Sequence, residues 1–164
     1  SSVVYGATAQ TMTATASSGL TVTYTVSGPC TVSGAVITIT GVGNCVITAA
    51  QSGGTSGGST YGPATSVEQT LVITAKPLTI TATTSSSSKT YGAANPTFGK
   101  TYSGLVYSDS ITATTLTFTS TSPSYNSSAA PTDVGIYTIT SSSPTFSPSG
   151  AGSNYTISYE MNQI

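Results

Sequence analysis

The side chains with catalytic chemistry are few in this sequence, and they stand apart from one another. Its four carboxylates occur singly, at Glu68, Asp109, Asp133 and Glu160, and the chain has no His. Without His, a Ser-His-Asp triad cannot form, and no side chain is available as a general base near neutral pH. A glycosidase-type pair of carboxylates is disfavoured, because each acid lies in a setting typical of a strand end or turn. We therefore predict a protein that is not an enzyme and uses no cofactor.

Cys30 and Cys45 are the only cysteines of the chain. Both follow turn residues, and they flank a hairpin-like run from Ala35 to Thr40. An even pair in an extracellular protein indicates a disulfide, whose closed loop would contribute about 3 kcal/mol. The alternative is two free thiols. A metal site is poorly supplied, since His is absent and there is no second Cys pair.

The composition excludes several classes of partner. Charged residues make up 4% of the chain, as three Lys and four acids. The chain therefore lacks the clustered cations that bind nucleic acid or an anionic membrane surface. No run of 18 apolar residues exists, and we predict no membrane span. The chain does not begin with Met, so we expect a mature fragment or a segment of a longer extracellular, secreted or cell-surface protein.

Ser and Thr, 63 of the 164 residues, alternate with apolar residues along most of the chain. Period-two runs rich in β-branched and aromatic residues are separated by Gly, Pro and Ser turns. The clearest runs are Thr21–Val26, Ala35–Thr40, Gln69–Ala75, Leu78–Thr83, Leu116–Thr119 and Ile136–Thr140. This pattern predicts an all-β fold with one buried and one wet face per strand, as in antiparallel β-sandwiches.

One phrase occurs twice, at positions that divide the chain into halves. Ser-Ser-x-x-Tyr-Gly-Ala begins at Ser1 and again at Ser87. Lys76-Pro77 falls between two alternating runs and indicates an edge or a boundary, because Pro cannot donate a ladder hydrogen bond. We therefore predict two tandem Ig-like modules, residues 1–75 and 76–164, the second an Ig-like sandwich or a β-grasp-like variant. The Gly/Ser-rich stretch Gln51–Thr60 is expected to be a flexible loop.

The second half resembles the MBG domain of YGX type, a module that recurs in tandem in large bacterial surface and secreted proteins. Four phrases occur in the family's order. They are Tyr91–Phe98, Tyr102–Val106 with Asp109, Val134–Tyr137 and Ser153–Ser158. The resemblance implies a β module that serves as a repeat unit rather than as a catalyst.

The first half is similar to a bacterial Ig-like repeat that often accompanies this module. Its matching segments are Tyr5-Gly6, Thr13–Leu20, Val26–Cys30 and Ile39–Cys45. The resemblance implies one further strand before Tyr5-Gly6 and one after the Asn-Tyr-Thr-Ile phrase, and neither is evident in the sequence. Either the segment belongs to a continuous array, or neighbouring copies supply the missing strands.

These observations favour a structural repeat subunit of an extracellular bacterial fibre, stalk or adhesin. We expect copies of the chain to join head to tail, with the contact at the terminal segments 1–15 and 155–164. Sheet edges with few charged side chains lack the Lys residues and other charges that normally prevent one edge from pairing with another strand. The predicted assembly residues are Val3, Val4, Tyr5, Tyr155, Ile157, Tyr159, Met161 and Ile164. The alternatives are a glycan- or host-protein-binding adhesin module and a virion fibre or decoration domain.

Covalent glycans are a further expected partner. Asn126 and Asn154 match the N-glycosylation pattern, and Asn126 lies in a Ser/Thr/Pro-rich stretch suited to exposure. The Tyr-Gly pairs are interpreted as structural turns in which the ring is buried. A sugar-stacking role is the alternative for Tyr102, Tyr107 and Tyr125.

Overall fold

The computed structural model describes all residues, Ser1–Ile164. The chain divides into two compact units, Ser1–Ala75 (unit 1) and Lys76–Ile164 (unit 2). The all-β prediction is confirmed: there is no α-helix, and a single 3-10 turn spans Ala151–Asn154. The strands of each unit form small sheets that bury one face.

Unit 1 contains nine strands in two main sheets and one hairpin. The strands are β1 Ser2–Val4, β2 Gln10–Thr11, β3 Thr23–Ser27, β4 Cys30–Ser33, β5 Val36–Ile39, β6 Gly43–Gln51, β7 Gly54–Ser56, β8 Ser59–Tyr61 and β9 Ala64–Thr74. One sheet has the order β1-β9-β6-β3 and the other β2-β5-β4. Alternate side chains such as Ile37, Ile39, Leu71 and Ile73 are buried, as the period-two pattern predicts.

The disulfide lies in the core of unit 1. Cys30 opens β4 in one sheet, Cys45 lies in β6 of the other, and their Cα atoms are 5.8 Å apart. Cys45 is fully buried and Cys30 nearly so. The predicted bridge is therefore present, and it ties the two sheets to each other covalently.

Unit 2 contains seven strands in two sheets. They are β10 Lys76–Thr84, β11 Phe98–Ser103, β12 Ser110–Thr121, β13 Ser124–Ser127, β14 Thr138–Ser147, β15 Tyr155–Glu160 and β16 Asn162–Gln163. The sheet orders are β11-β10-β15 and β13-β12-β14-β16. Ala82 of β10 packs against Phe118 of β12 and Ile139 of β14, so the core lies between the two sheets.

Two strand pairs depart from the antiparallel expectation. β1 pairs in parallel with β9, with Ser2 opposite Val72, and β10 pairs in parallel with β15, with Lys76 opposite Tyr155. In both cases the first strand of a unit meets a strand from near its end. A parallel pair needs a long crossover connection, and here the rest of the unit supplies it.

One local prediction was wrong. Part of Gln51–Thr60 is a hairpin rather than a flexible loop, because β7 and β8 pair across Gly57-Gly58, whose φ values of 58° and 82° suit a tight hairpin turn. Lys76-Pro77 opens unit 2, which agrees with a boundary rather than an edge, because β10 is the central strand of its sheet. The sheet tolerates Pro77 because β11 pairs with β10 only from Thr79 onward.

The buried phenol of Tyr137 packs edge-on against Tyr125, with ring centroids 5.5 Å apart. Its hydroxyl donates to the carbonyl oxygen of Asp133 at 3.2 Å. Burial raises the pKa of Tyr137 above its usual value, and the nearby Asp133 and Tyr125 raise that pKa further.

Breaking the disulfide should weaken unit 1 and spare unit 2. For the double variant C30A/C45A we expect a loss of about 3 kcal/mol in the free energy of unfolding of unit 1, because the unfolded chain regains the entropy of a 15-residue loop. Hydrogen exchange resolved to peptides of each unit measures the two effects separately. Two free thiols in the unreduced, denatured wild-type protein would contradict the bridge itself.

The loss of stability caused by replacing a glycine with alanine should depend on the glycine's φ and on the space available for a Cβ atom. G104A should cost about 3 kcal/mol or more, because φ is 116° and a Cβ would overlap the carbonyl oxygen of Pro77. G92A, with φ 80° and open space, should cost about 1 kcal/mol. G62A is the control, since Gly62 has open space and no positive φ. Denaturant unfolding gives the three values, and equal effects would contradict this account.

The raised pKa of Tyr137 predicts a loss of stability at alkaline pH. The unfolded chain releases this proton near pH 10, whereas the folded chain retains it to higher pH. The contribution is therefore present below about pH 10 and is lost as pH rises through the native pKa. Y137F should flatten the decline of unit 2 stability above that pH. Identical pH profiles for the wild type and Y137F, measured by hydrogen exchange, would contradict the prediction.

Candidate functional site

The repeated Tyr-Gly-Ala phrase forms the same turn in both units. The Ala7 N–H donates to the Val4 carbonyl at 3.0 Å, and the Ala93 N–H donates to the Thr90 carbonyl, also at 3.0 Å. Gly6 has φ 89° and Gly92 has φ 80°. A four-residue turn with a left-handed Gly at its third position is a type II turn, which explains why the phrase contains Gly.

The two tyrosines of these turns have opposite environments. Tyr5 is 4% exposed, whereas Tyr91 is 74% exposed. Tyr5 follows β1 directly, and its N–H donates to the Thr74 carbonyl at the end of β9, so the turn begins inside the sheet. Tyr91 lies seven residues beyond the end of β10 at Thr84, at the tip of a loop. The interpretation of both rings as buried packing therefore fits Tyr5 and is wrong for Tyr91.

The predicted assembly residues lie on edge strands of their own sheets or, for Tyr5, Met161 and Ile164, directly beside one. β1, β15 and β16 each have a neighbouring strand on one side only. Of the residues predicted for contact, Val4, Tyr159 and Met161 are exposed, Val3, Ile157 and Ile164 are half-buried, and Tyr5 and Tyr155 are buried. Each of these three strands is thus already paired with one strand of its own unit, and only its outer side is open to a further strand.

The strand expected before Tyr5-Gly6 is present as β1, and the chain continues after the Asn-Tyr-Thr-Ile phrase through β15 into β16. Ile164 extends this last pairing, because its N–H and carbonyl both bond to Tyr137, at 3.0 and 2.9 Å. The terminal segments therefore complete sheets within the chain.

Three of the four carboxylates have structural partners. Asp109 accepts a hydrogen bond from the Tyr155 hydroxyl at 2.7 Å, and that hydroxyl accepts from the Val106 N–H at 3.1 Å. Glu160 accepts from Thr81 at 2.8 Å, and Glu68 from Thr48 at 3.3 Å. The Asp109–Tyr155–Val106 contacts bring together two of the phrases that were noted in the sequence of unit 2. No group of three His, Cys, Asp or Glu side chains is placed to hold a metal ion.

The candidate modification and stacking residues are distributed over several surfaces of unit 2. Asn126 is exposed on β13, whereas Asn154 is half-buried in the 3-10 turn. The Tyr102 hydroxyl lies 3.0 Å from the Thr114 hydroxyl, and the Tyr125 hydroxyl donates to the Ala129 carbonyl at 2.9 Å. Tyr107 is 56% exposed. Nothing places Tyr102, Tyr107 and Tyr125 around a common cavity.

Unit 2 also contains a groove that the sequence did not indicate. It has a cavity volume of about 310 Å³ and lies between the loop around Tyr91 and the segment Pro131–Tyr137. Tyr91, Val134 and Ile136, the three most exposed large hydrophobic residues of the chain, all line it. One signal was available: in the alternating run 136–140, Ile136 is the only apolar residue on the face that otherwise carries Thr138 and Thr140.

A second groove, in unit 1, is mostly apolar. Its cavity volume is about 270 Å³, and it lies between the segment Met12–Ala16 and the sheet residues Tyr24, Ile47 and Val67. The first seven residues of β9 are exposed on both faces, so the second sheet of unit 1 does not cover this end of the sheet. The groove carries no titratable group other than Tyr24.

Residues 78–163 match the MBG domain (YGX type) family, so the match covers nearly all of unit 2 and about half of the chain. Tyr91-Gly92-Ala93 has the form of the triplet in that description. Comparisons with curated proteins and with solved structures give no match. The structure contains no helix that is long and apolar enough to cross a membrane. The chain belongs to the MBG domain (YGX type) family.

Proposed function

We propose that this chain is a structural repeat segment of an extracellular bacterial surface protein, a fibre, stalk or adhesin, in which copies join through their terminal strands. The observation that carries the proposal is topological. The first strand of unit 1 and the last two strands of unit 2 are all edge strands, and each leaves one side open to a further strand. An added strand gains a row of backbone hydrogen bonds without needing specific side chains.

The low charge of these edges supports the same role. Proteins that must avoid edge pairing place Lys, Pro or inward-pointing charges on their edge strands. β1 and β16 carry no charged side chain, and β15 carries only Glu160, which accepts a hydrogen bond from Thr81 within the unit. A head-to-tail contact that does not close on itself extends into a filament.

The remaining features are consistent with an extracellular protein of this kind. The Cys30–Cys45 bridge requires an oxidising compartment to persist. The proposal includes unit 1 as an Ig-like repeat in tandem with unit 2, because unit 1 has two sheets linked by a disulfide. Glycans at Asn126, which is exposed, and at Asn154 would raise the solubility of a chain with a net charge of only −1.

Lysine substitutions on the terminal edges should prevent assembly. For V4K, Y159K and M161K we expect loss of filaments, because a charged side chain on an edge strand, or beside one as at Met161, opposes an incoming strand. V36K is the matched control: Val36 is 39% exposed against 43% for Val4, but it lies on β5, a central strand with both neighbours in place. Electron imaging and sedimentation velocity measure assembly, and circular dichroism verifies the fold.

The result expected is filaments for the wild type and V36K and monomers for the three edge variants. Wild-type protein that stays monomeric at every concentration would overturn the assembly role. Filaments that survive all three edge substitutions would overturn its placement at the terminal strands.

A further inference from the structure

We propose that the groove of unit 2 between the Tyr91 loop and the segment Pro131–Tyr137 is a binding site for a neutral saccharide. The inference goes beyond the structural role, and it does not depend on strand-mediated assembly. The groove's volume of about 310 Å³ is at the lower end of the range for small-molecule sites, which suits one or two sugar rings.

The apolar side chains of the groove are exposed to solvent, so they lack the favourable free energy that burial in the core would provide. Tyr91 and Val134 are each 74% exposed and Ile136 is 71% exposed, whereas Ile80 and Ile139 of the same unit are fully buried. Clustered exposed apolar side chains mark interaction sites more often than chance placements. An aromatic ring beside aliphatic groups matches the C–H faces of a pyranose, which are flat and weakly apolar.

The polar side of the groove fits a ligand that carries hydroxyls and no net charge. Lys89 and Asp133 supply one cation and one carboxylate, and the Lys89 ammonium is held by the Asn95 side-chain oxygen at 2.6 Å. Ser87 and Thr132 add hydroxyls. Balanced charge gives no attraction to a polyanion, whereas donors and acceptors side by side can each bond a sugar hydroxyl.

Both walls of the groove are held in place by packing and hydrogen bonds within unit 2. The segment that carries Val134 and Ile136 is anchored at the buried Pro131 and Tyr137, and the Tyr137 hydroxyl binds the Asp133 carbonyl. A Cβ on Gly135 would lie 2.8 Å from Pro123, so this stretch already packs tightly on the neighbouring turn.

On the other side, the Ser85 N–H bonds to the Thr97 carbonyl and the Thr97 N–H to the Ser85 hydroxyl, both at 3.0 Å. These bonds close the base of the loop, and the type II turn sets its tip. A site that exists before the ligand arrives loses little entropy when the ligand binds.

A glycan array of neutral mono- and oligosaccharides, probed with the full 164-residue protein, is the first experiment, followed by calorimetric titration of the methyl glycoside of each hit. We expect Y91A to weaken binding about tenfold or more, through loss of the stacking ring, and Y91F to bind like the wild type. D133N should also weaken binding. Y61A is the control, because Tyr61 is an exposed tyrosine of unit 1 that does not line this groove.

The proposal is supported if a neutral glycan binds and only the groove variants weaken it. It is overturned if no neutral glycan binds, if Y91A and D133N bind as tightly as Y61A, or if the same surface instead captures an extended peptide in a displayed library. Hydrogen exchange of the loop around Tyr91 on addition of the methyl glycoside gives a second readout, and unchanged protection there would place any binding elsewhere.

Discussion

The parallel pairing of the first strand of each unit with a strand near its end is the constraint on which the rest of the architecture depends. In unit 1 this pairing joins Ser2 to Val72, and in unit 2 it joins Lys76 to Tyr155. Each ladder closes a loop of about 70 residues or more, so loop-closure entropy opposes it unless the intervening hairpins bring its strands together. It also positions side chains that the core needs: Tyr5 enters the core directly after β1, and Tyr155 opens β15 with its hydroxyl bonded to Asp109. In unit 1 the first strand, β1, is an edge strand and the last, β9, lies next to it. In unit 2 the first strand, β10, lies next to the edge strand β15, and the last strand, β16, is itself an edge strand.

The sequence predicts what is local and periodic, and it fails where pairing is long-range. Leu78, Ile80 and Ala82 alternate with Thr, and all three are fully buried. The Cys pair likewise carries its own signal, since Cys30 opens β4 and Cys45 lies near the start of β6, on either side of β5 in the sequence. The parallel ladders carry no such signal, because strand direction is decided by partners some 70 residues away. The composition of Gln51–Thr60 indicates a flexible loop, although Gly57-Gly58 within it is also a preferred pair for a tight hairpin turn. Pro77 shows a related limit. Pro is excluded from a central strand only where its missing N–H would have to pair with a neighbouring strand. The structure shows that β11 pairs with β10 only from Thr79 onward, and the sequence does not.

Edge exposure and low charge act together in this chain. A sheet edge with no charged side chain is a hazard for a freely diffusing protein and an advantage for a subunit that must add strands. The edge strands are short, with three residues in β1 and two in β16, and this limits how much any single pairing can contribute. β15 is longer, and its one acid is engaged by Thr81. Weak individual edges favour assembly only when several act together or when copies are linked in one chain, because linkage raises the effective concentration of the second contact.

The same Tyr-Gly-Ala turn has different consequences in the two units because of what precedes it. In unit 1 the turn follows a strand without a gap, so the ring lies over the sheet and becomes core. In unit 2 the segment from Ser85 to Thr90 separates strand from turn, and identical turn geometry then holds the ring in solvent at the rim of a groove. A rigid turn that displays an aromatic ring loses little conformational entropy when a ligand stacks on it. Of the proposed assembly residues of unit 2, only Ile164 also lines this groove, so ligand binding and strand addition use largely different groups of the unit. A repeat segment built in this way can carry a binding site in each copy while its edges remain available for assembly.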